Sequence, residues 1–114
     1  MNEFHQKIIE ILEEKKACQI KLIDMEQKSD ICSYQLICSG LNERHTQALS
    51  TALETELKAS FKESPSVVEG KALGSWILLD YQSTIIHIFV QDVRSYYAFD
   101  ALCTDKKVVF ESES

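Results

Sequence analysis

The side chains of this chain that could do chemistry are scattered along the sequence. His5, His45 and His87 lie on three separate predicted elements, so local spacing brings no two imidazoles together. The cysteines contain no Cys-x-x-Cys pair, the spacing that is typical of zinc sites. They are Cys18, Cys32, Cys38 and Cys103. A zinc site is therefore only weakly indicated, and we expect neither a metal nor another cofactor.

Two further features could take part in catalysis, and neither is convincing. Ser39-Gly40 precedes a predicted helix whose first amides could hold an anion, but a single glycine does not make a phosphate loop. Gly40 is better explained as the turn from strand to helix, and Ser39 has no evident base beside it. Asp80 and Asp92 are isolated and do not form the carboxylate pair that two-metal chemistry uses. We therefore predict that the protein is not an enzyme.

Length and composition favour one globular domain with a protein partner. The chain has 114 residues, of which 45% are hydrophobic and 26% are charged. Its net charge of −6 disfavours direct nucleic-acid binding and suits a basic protein. We find no segment that could span a membrane and no signal pattern at the N-terminus. A cytoplasmic location with reduced cysteines is expected.

Hydrophobic spacing predicts an alternation of helices and strands. Helices are predicted over 4–16, from the N-cap Asn42 to Ser64-Pro65, and over 92–98. Strands are predicted over 19–25, 34–39, 67–68, 76–81 and 84–90. The resulting α-β-β-α-β-β-β-α order is typical of a single α/β domain with a mixed sheet of about five strands. We place that domain at 1–103 and expect a flexible polar C-terminal tail over 104–114.

The segment from residue 76 to residue 90 is the most informative. If Gln82-Ser83 is a two-residue turn, Trp76 faces Phe89 across an antiparallel pair. Alternation then divides the side chains between two faces. One face is typical of a core and holds Ile77, Leu79, Tyr81, Thr84, Ile86 and Ile88. The other mixes large apolar groups with a carboxylate and an imidazole, and holds Trp76, Leu78, Asp80, Ile85, His87 and Phe89.

Two interpretations of this second face remain open. In the first, a helix covers the face, and Asp80 and His87 lie at its margin with hydrogen-bond partners. In the second, part of the face is exposed and binds another protein, since Trp and Phe on a half-polar surface are typical interface anchors. The choice depends on whether the indole of Trp76 reaches the surface.

Several groups of residues follow one another in a recognisable order. The first is Gly74-Ser75-Trp76-Ile77-Leu78-Leu79-Asp80-Tyr81, then Ile86-His87-Ile88-Phe89 and Val93-Arg94-Ser95-Tyr96-Tyr97. Upstream lie Leu36-Ile37-Cys38-Ser39-Gly40, Asn42-Glu43-Arg44-His45 and Val68-Glu69-Gly70. Together, across residues 31–103, they resemble the ribosomal silencing factors, also called the Iojap-like family.

The resemblance implies a fold and a function. The fold is a compact α/β domain, distantly similar to nucleotidyltransferase folds but without their active site. Family members bind the large ribosomal subunit through a ribosomal protein, here expected to be basic, on the face that joins the small subunit. They thereby block subunit association and repress translation when nutrients are short. The implied mechanism is steric occlusion and not catalysis.

The resemblance also implies a set of partner-binding residues, because the family's hairpin is part of its binding surface. Those carried over from the hairpin are Trp76, Leu78, Asp80, Tyr81 and His87. Arg94 and Tyr97 are added, although both could equally fasten the short helix to the sheet. The chain departs from the family pattern at four positions, which are Ser33 for Asp, Gln35 for an aromatic residue, Gln82 for Gly and Cys103 for Trp.

Two other hypotheses belong to different classes. A nucleotide-binding or nucleotidyltransferase-like enzyme remnant would need Ser39 and Gly40 to hold phosphate and Asp80 to hold a metal. Weak homodimer formation would use an exposed sheet edge or the apolar face, and a dimer formed through that face would compete with ribosome binding.

Overall fold

A computed structural model describes residues 1–25, 32–97 and 107–113. These residues contain three helices, which are α1 (Glu3–Glu14), α2 (Glu43–Phe61) and α3 (Gln91–Tyr97). They also contain six strands, which are β1 (Cys18–Asp24), β2 (Tyr34–Gly40), β3 (Val67–Glu69), β4 (Trp76–Asp80), β5 (Thr84–Val90) and β6 (Lys107–Glu111).

The strands form one mixed sheet in the order β3-β4-β5-β2-β1-β6. β2 and β5 are parallel, and the other neighbouring pairs are antiparallel. A parallel neighbour requires a crossover connection, and α2 provides it by packing on β2, β4 and β5. The predicted α/β class with a mixed sheet is confirmed.

Asparagine side chains begin both long helices. Asn2 Oδ1 accepts a hydrogen bond from the amide of His5 at 2.8 Å, and Asn42 Oδ1 accepts one from the amide of His45 at 2.9 Å. α2 ends where Lys62 adopts a φ of 60° and donates its amide back to carbonyls of the last turn. The predicted N-cap at Asn42 is confirmed.

The two faces of the sheet bury separate groups of side chains. α1 and α2 cover one face, where the predicted core side of the hairpin contributes Ile77, Leu79, Tyr81, Ile86 and Ile88. The opposite face, called the Trp76 face below, carries a second cluster that includes Ile37, Ile85 and Phe89. α3 packs against β5 and β2, and Val93 packs against this second cluster.

The predicted hairpin register is confirmed. Trp76 pairs with Phe89 and Asp80 pairs with Ile85. The amide of Tyr81 donates to the carbonyl of Thr84 across a two-residue turn. Gln82 has a φ of 72°, a left-handed value that such a turn requires and that a residue with a side chain tolerates poorly.

The expectation of an unpaired tail is wrong for residues 107–111. This segment is β6, which pairs antiparallel with β1 and gives the sheet six strands instead of about five. Pairing satisfies its backbone groups along one edge, and Phe110 packs against the core under α1 and α2. Residues 104–106 and Ser114 lie outside the described residues.

Candidate partner-binding surface

Trp76, His87 and Gln35 form a hydrogen-bonded relay across three neighbouring strands. Trp76 Nε1 donates to Nδ1 of His87 at 3.1 Å, and Nε2 of His87 lies 3.0 Å from Oε1 of Gln35. Because an indole nitrogen only donates, Nδ1 must accept, and neutral His87 carries its proton on Nε2 and donates it to Gln35. The relay therefore fixes both the tautomer of His87 and the orientation of the indole.

Burial keeps His87 neutral. Its side chain is 6% exposed, and burial lowers its pKa from 6.5 to about 4. The ring of Trp76 lies against Phe89 with centroids 4.7 Å apart, and the ring of His87 stacks near Phe89 at 6.2 Å. His87 is therefore a buried residue that orients Trp76 through a hydrogen bond.

The Trp76 face continues onto the edge strand β3, which the sequence-based set of site residues does not include. Val67 pairs with Asp80 and Glu69 pairs with Leu78, and paired residues on antiparallel strands point to the same face. Val67 is 39% exposed and Glu69 is exposed, whereas Trp76, Leu78 and Asp80 on β4 are half-buried. We call this set the docking patch, and it consists of Val67, Glu69, Trp76, Leu78 and Asp80.

The two parts of the Trp76 face differ in burial. On β5, Phe89 is fully buried and Ile85 is 9% exposed, and α3 packs over this strand. Towards β4 and β3 the burial decreases, and Trp76 is half-buried. The β5 part of the face is therefore covered, as the first interpretation expects, and the β4–β3 part has the exposure that the second interpretation requires.

Two carboxylates flank the apolar part of the docking patch. Oδ1 of Asp80 accepts a hydrogen bond from the amide of Gln82 at 2.7 Å, which holds this carboxylate at the hairpin turn. Glu69 makes no ion pair within the described residues. The patch thus combines an indole and two aliphatic side chains with two negative charges and no positive one, which suits a basic partner.

Gly70 lets the chain turn closely over the start of β4. Its φ is 78°, and a Cβ built at this position would lie 2.1 Å from the carbonyl oxygen of Trp76. No residue with a side chain fits there without moving the backbone. The glycine of the Val68-Glu69-Gly70 match therefore has a physical reason, because only a residue without a side chain lets the β3–β4 connection pack this closely on the backbone of Trp76.

Tyr81 lies on the other face of the sheet. It is 6% exposed, and its ring meets that of Phe4 edge-on with centroids 5.6 Å apart. Because it follows Asp80 in the chain, alternation points its side chain towards α1 and α2. The structure therefore separates Tyr81 from the other hairpin residues in the predicted set.

Arg94 is buried and fastens α3 to the sheet. Its side chain is 5% exposed, and Nη1 donates to the carbonyl of Gln19 at 2.6 Å and to Oγ of Ser39 at 3.0 Å. This geometry favours the fastening role that the sequence left open. The side chain of Tyr97 and all of Cys103 lie outside the described residues.

The contacts of Ser39 and Gly40 stabilise the fold. Ser39 is fully buried and its hydroxyl accepts the hydrogen bond from Arg94. A Cβ on Gly40 would lie 2.9 Å from Cγ2 of Thr46, so the glycine allows β2 to enter α2 at close range. These contacts favour the turn interpretation over a phosphate site.

Cys18 and Cys38 are free thiols. No group of three or more metal-ligating side chains occurs in the part of the chain that is described. Burial raises the pKa of the Cys38 thiol to about 12, so this thiol stays protonated and unreactive. None of the described helices is both long and apolar enough to cross a membrane.

Comparisons with known proteins agree with one another. The family model described as ribosomal silencing factor during starvation matches residues 1–114. A ribosomal silencing factor of Halalkalibacterium halodurans is 30% identical over 107 residues, which cover 94% of this chain and 91% of that protein. One from Zymomonas mobilis is 33% identical over 95 residues, which cover 83% of this chain and 71% of that protein.

A solved structure supports the same assignment. A crystal structure of a Chromobacterium violaceum protein superposes with a TM-score of 0.82 at 27% identity, and the match covers 90% of this chain and 86% of that one. Because the family model matches the whole chain and relatives at 30% identity or more align over most of it, this chain belongs to the family of ribosomal silencing factors.

Proposed function

We propose that this chain represses translation by binding the large ribosomal subunit and sterically blocking its association with the small subunit. The docking patch makes the contact, and its partner is a basic ribosomal protein on the subunit-joining face. Membership of the silencing-factor family supports a ribosome-associated role. No catalytic step is required.

The composition and position of the docking patch carry this proposal. Trp76 is half-buried and held in one orientation by His87, and it shares its face with Leu78 and with the exposed Val67, which pairs with Asp80. Aromatic side chains with little freedom to lose are the usual anchors of protein interfaces. The net charge of −6 and the carboxylates at both sides of the patch attract a basic protein and repel bare ribosomal RNA.

Co-sedimentation with isolated large subunits in sucrose gradients tests the proposal. Trp76→Ala removes the anchor and should weaken binding about 30-fold or more, as expected for a loss of 2 kcal/mol or more at an interface centre. Leu78→Ala introduces no charge beside His87, its cross-strand partner, and serves as a second variant if Trp76→Ala does not fold. If both variants are folded and co-sediment like the unaltered protein, the docking patch is not the binding surface.

The second part of the experiment addresses the mechanism. Small subunits are added to the complex, and the amount of joined ribosome is compared with and without the protein. Steric occlusion predicts less joining in proportion to occupancy of the large subunit. Full joining at saturating occupancy would show that the protein binds without occlusion.

A further inference from the structure

A cavity of about 390 Å³ lies beside the β4–β5 turn, where the start of α1 and the end of α2 meet. Three aromatic rings line it, those of Phe4, Phe61 and Tyr81, together with Glu63 and the turn residues Gln82 and Ser83. The volume falls within the range of small-molecule sites. This cavity is separate from the docking patch and has no part in the function proposed above.

The aromatic rings of the cavity stand at steep angles to one another. Phe4 and Phe61 have centroids 5.5 Å apart at an interplanar angle of 87°, and Phe4 and Tyr81 are 5.6 Å apart at 69°. Rings set in this way turn their electron-rich faces in different directions. Aromatic walls of this kind attract ammonium groups through cation–π interactions.

The one charged side chain in the cavity lining is negative. It is Glu63, which forms no ion pair within the described residues. The partly negative carbonyl groups at the C-terminal end of α2 and the partly positive amides at the N-terminal end of α1 both lie here and offset one another. Glu54 is farther along α2 and is paired with Lys71 at 2.6 Å. Glu63 therefore favours a cation over an anion.

The hydroxyl of Tyr81 gives an independent indication. It is buried, and no residue in the described ranges gives it a hydrogen bond. Buried hydroxyl groups are nearly always hydrogen-bonded. Burial first, and the charges of Glu54 and Glu63 second, raise the pKa of Tyr81 to about 12, so the group stays neutral and can accept from an N–H donor.

We propose that this cavity binds a primary ammonium group on an alkyl chain, with Phe4, Phe61 and Tyr81 as aromatic walls and Glu63 as the opposite charge. Two sources offer this chemistry, namely a free aliphatic diamine and the side chain of a lysine. Both present a compact cation on a flexible apolar stem, which matches the aromatic lining.

NMR titration of the full chain tests this proposal. Cadaverine and Nα-acetyl-lysine N-methylamide are titrated separately, and Nα,Nε-diacetyl-lysine N-methylamide is the uncharged control. We expect saturable shifts of the Gln82 and Ser83 amides and of the ring protons of Phe4 and Phe61. Binding of the uncharged control should be about tenfold weaker, the effect of losing a cation–π contact. Whichever charged compound binds more tightly identifies the source.

Variants keep the test falsifiable. Phe61→Leu should weaken binding about tenfold, and Glu63→Gln about threefold, because Glu63 is exposed and its charge is screened. Glu14→Gln removes the same charge at the far end of α1 and should leave affinity unchanged. The proposal is overturned if the uncharged control binds as well as the charged compounds. It is also overturned if folded Phe61→Leu and Glu63→Gln proteins keep full affinity.

Discussion

Nε1 of Trp76 donates to Nδ1 of His87 at 3.1 Å, so the chain's single tryptophan depends on an unprotonated imidazole. The pKa of His87 is lowered from 6.5 to about 4 by burial. Between these two values the unfolded chain takes up a proton that the folded protein does not. Stability that is fully present above pH 6.5 is therefore lost as the pH falls towards 4.

The first prediction concerns this pH dependence. The free energy of unfolding should fall by up to about 3 kcal/mol between pH 6.5 and 4 because of His87 alone. Urea unfolding followed by Trp76 fluorescence measures the loss, and His87→Gln provides a control that does not titrate. His5 also has a lowered pKa, but it is present in both proteins and cancels in the comparison. Parallel pH curves for the two proteins would contradict the prediction.

A second prediction concerns Gln35, which stands where the family resemblance leads us to expect an aromatic residue. Gln35→Ala removes the acceptor for Nε2–H of the buried His87. Leaving this donor unsatisfied should cost about 1–3 kcal/mol of stability. Urea unfolding at pH 7 measures the cost, and Gln47→Ala, which removes an amide bonded to carbonyls at the surface, is the matched control. An equal and small effect of both changes would show that the relay contributes little.

A third prediction uses two valines on opposite edge strands. Val67 on β3 is 39% exposed and Val108 on β6 is 43% exposed, and their pairing with Asp80 and Ile23 places both on the Trp76 face. Val67→Ala should weaken binding to large subunits about threefold or more, whereas Val108→Ala should leave it unchanged. Sedimentation at several protein concentrations gives both affinities. Equal weakening by the two substitutions would place the contact elsewhere on the sheet.

A fourth prediction separates fastening from binding at Arg94. Lysine keeps the charge but cannot reproduce the guanidinium geometry that serves Gln19 and Ser39. Arg94→Lys should lower the free energy of unfolding by about 1–3 kcal/mol, while the fraction that remains folded binds large subunits with unchanged affinity. Thermal unfolding and co-sedimentation are measured on the same sample. Normal stability combined with lost binding would instead make Arg94 a partner contact.

A fifth prediction concerns the turn residue Gln82, whose φ is 72°. Gln82→Gly removes the free-energy cost of a left-handed conformation at a residue with a side chain. This gain exceeds the loss that comes from the greater conformational entropy of the unfolded chain with glycine. We expect a gain of about 0.5 kcal/mol in the free energy of unfolding. Ser83→Gly, one residue later and without a positive φ, should instead destabilise the protein. The prediction is wrong if Gln82→Gly and Ser83→Gly change the free energy of unfolding equally.

The hairpin could be read from the sequence because its information is local. Alternation and a two-residue turn fix which side chains share a face, and this is why Trp76, Leu78 and Asp80 were placed together correctly. Tyr81 entered the partner-binding set through the resemblance, although the same alternation assigned it to the core. Its burial beside Phe4 agrees with the alternation.

Other features depend on pairing between distant segments. Lys107–Glu111 has adjacent valines and no alternation of polar and apolar residues, and only its pairing with β1 makes it a strand. Val67 and Glu69 join the docking patch through their register with β4, which three residues cannot specify alone. The neighbouring Gly70 was the available signal, since Val68-Glu69-Gly70 matches the family pattern at this strand.

The parallel pairing of β2 with β5 has a consequence for how the chain folds. The hairpin of β4 and β5 closes through a two-residue turn and can form early, because little chain entropy is lost. The hairpin can pair with β2 only when the chain between them, which includes α2 and β3, brings Thr84 next to Tyr34. Non-local pairing of this kind slows folding. We therefore expect the transition state to be dominated by the arrival of β5 beside β2, with substitutions at Leu36 and Ile86 slowing refolding more than those at the sheet edges.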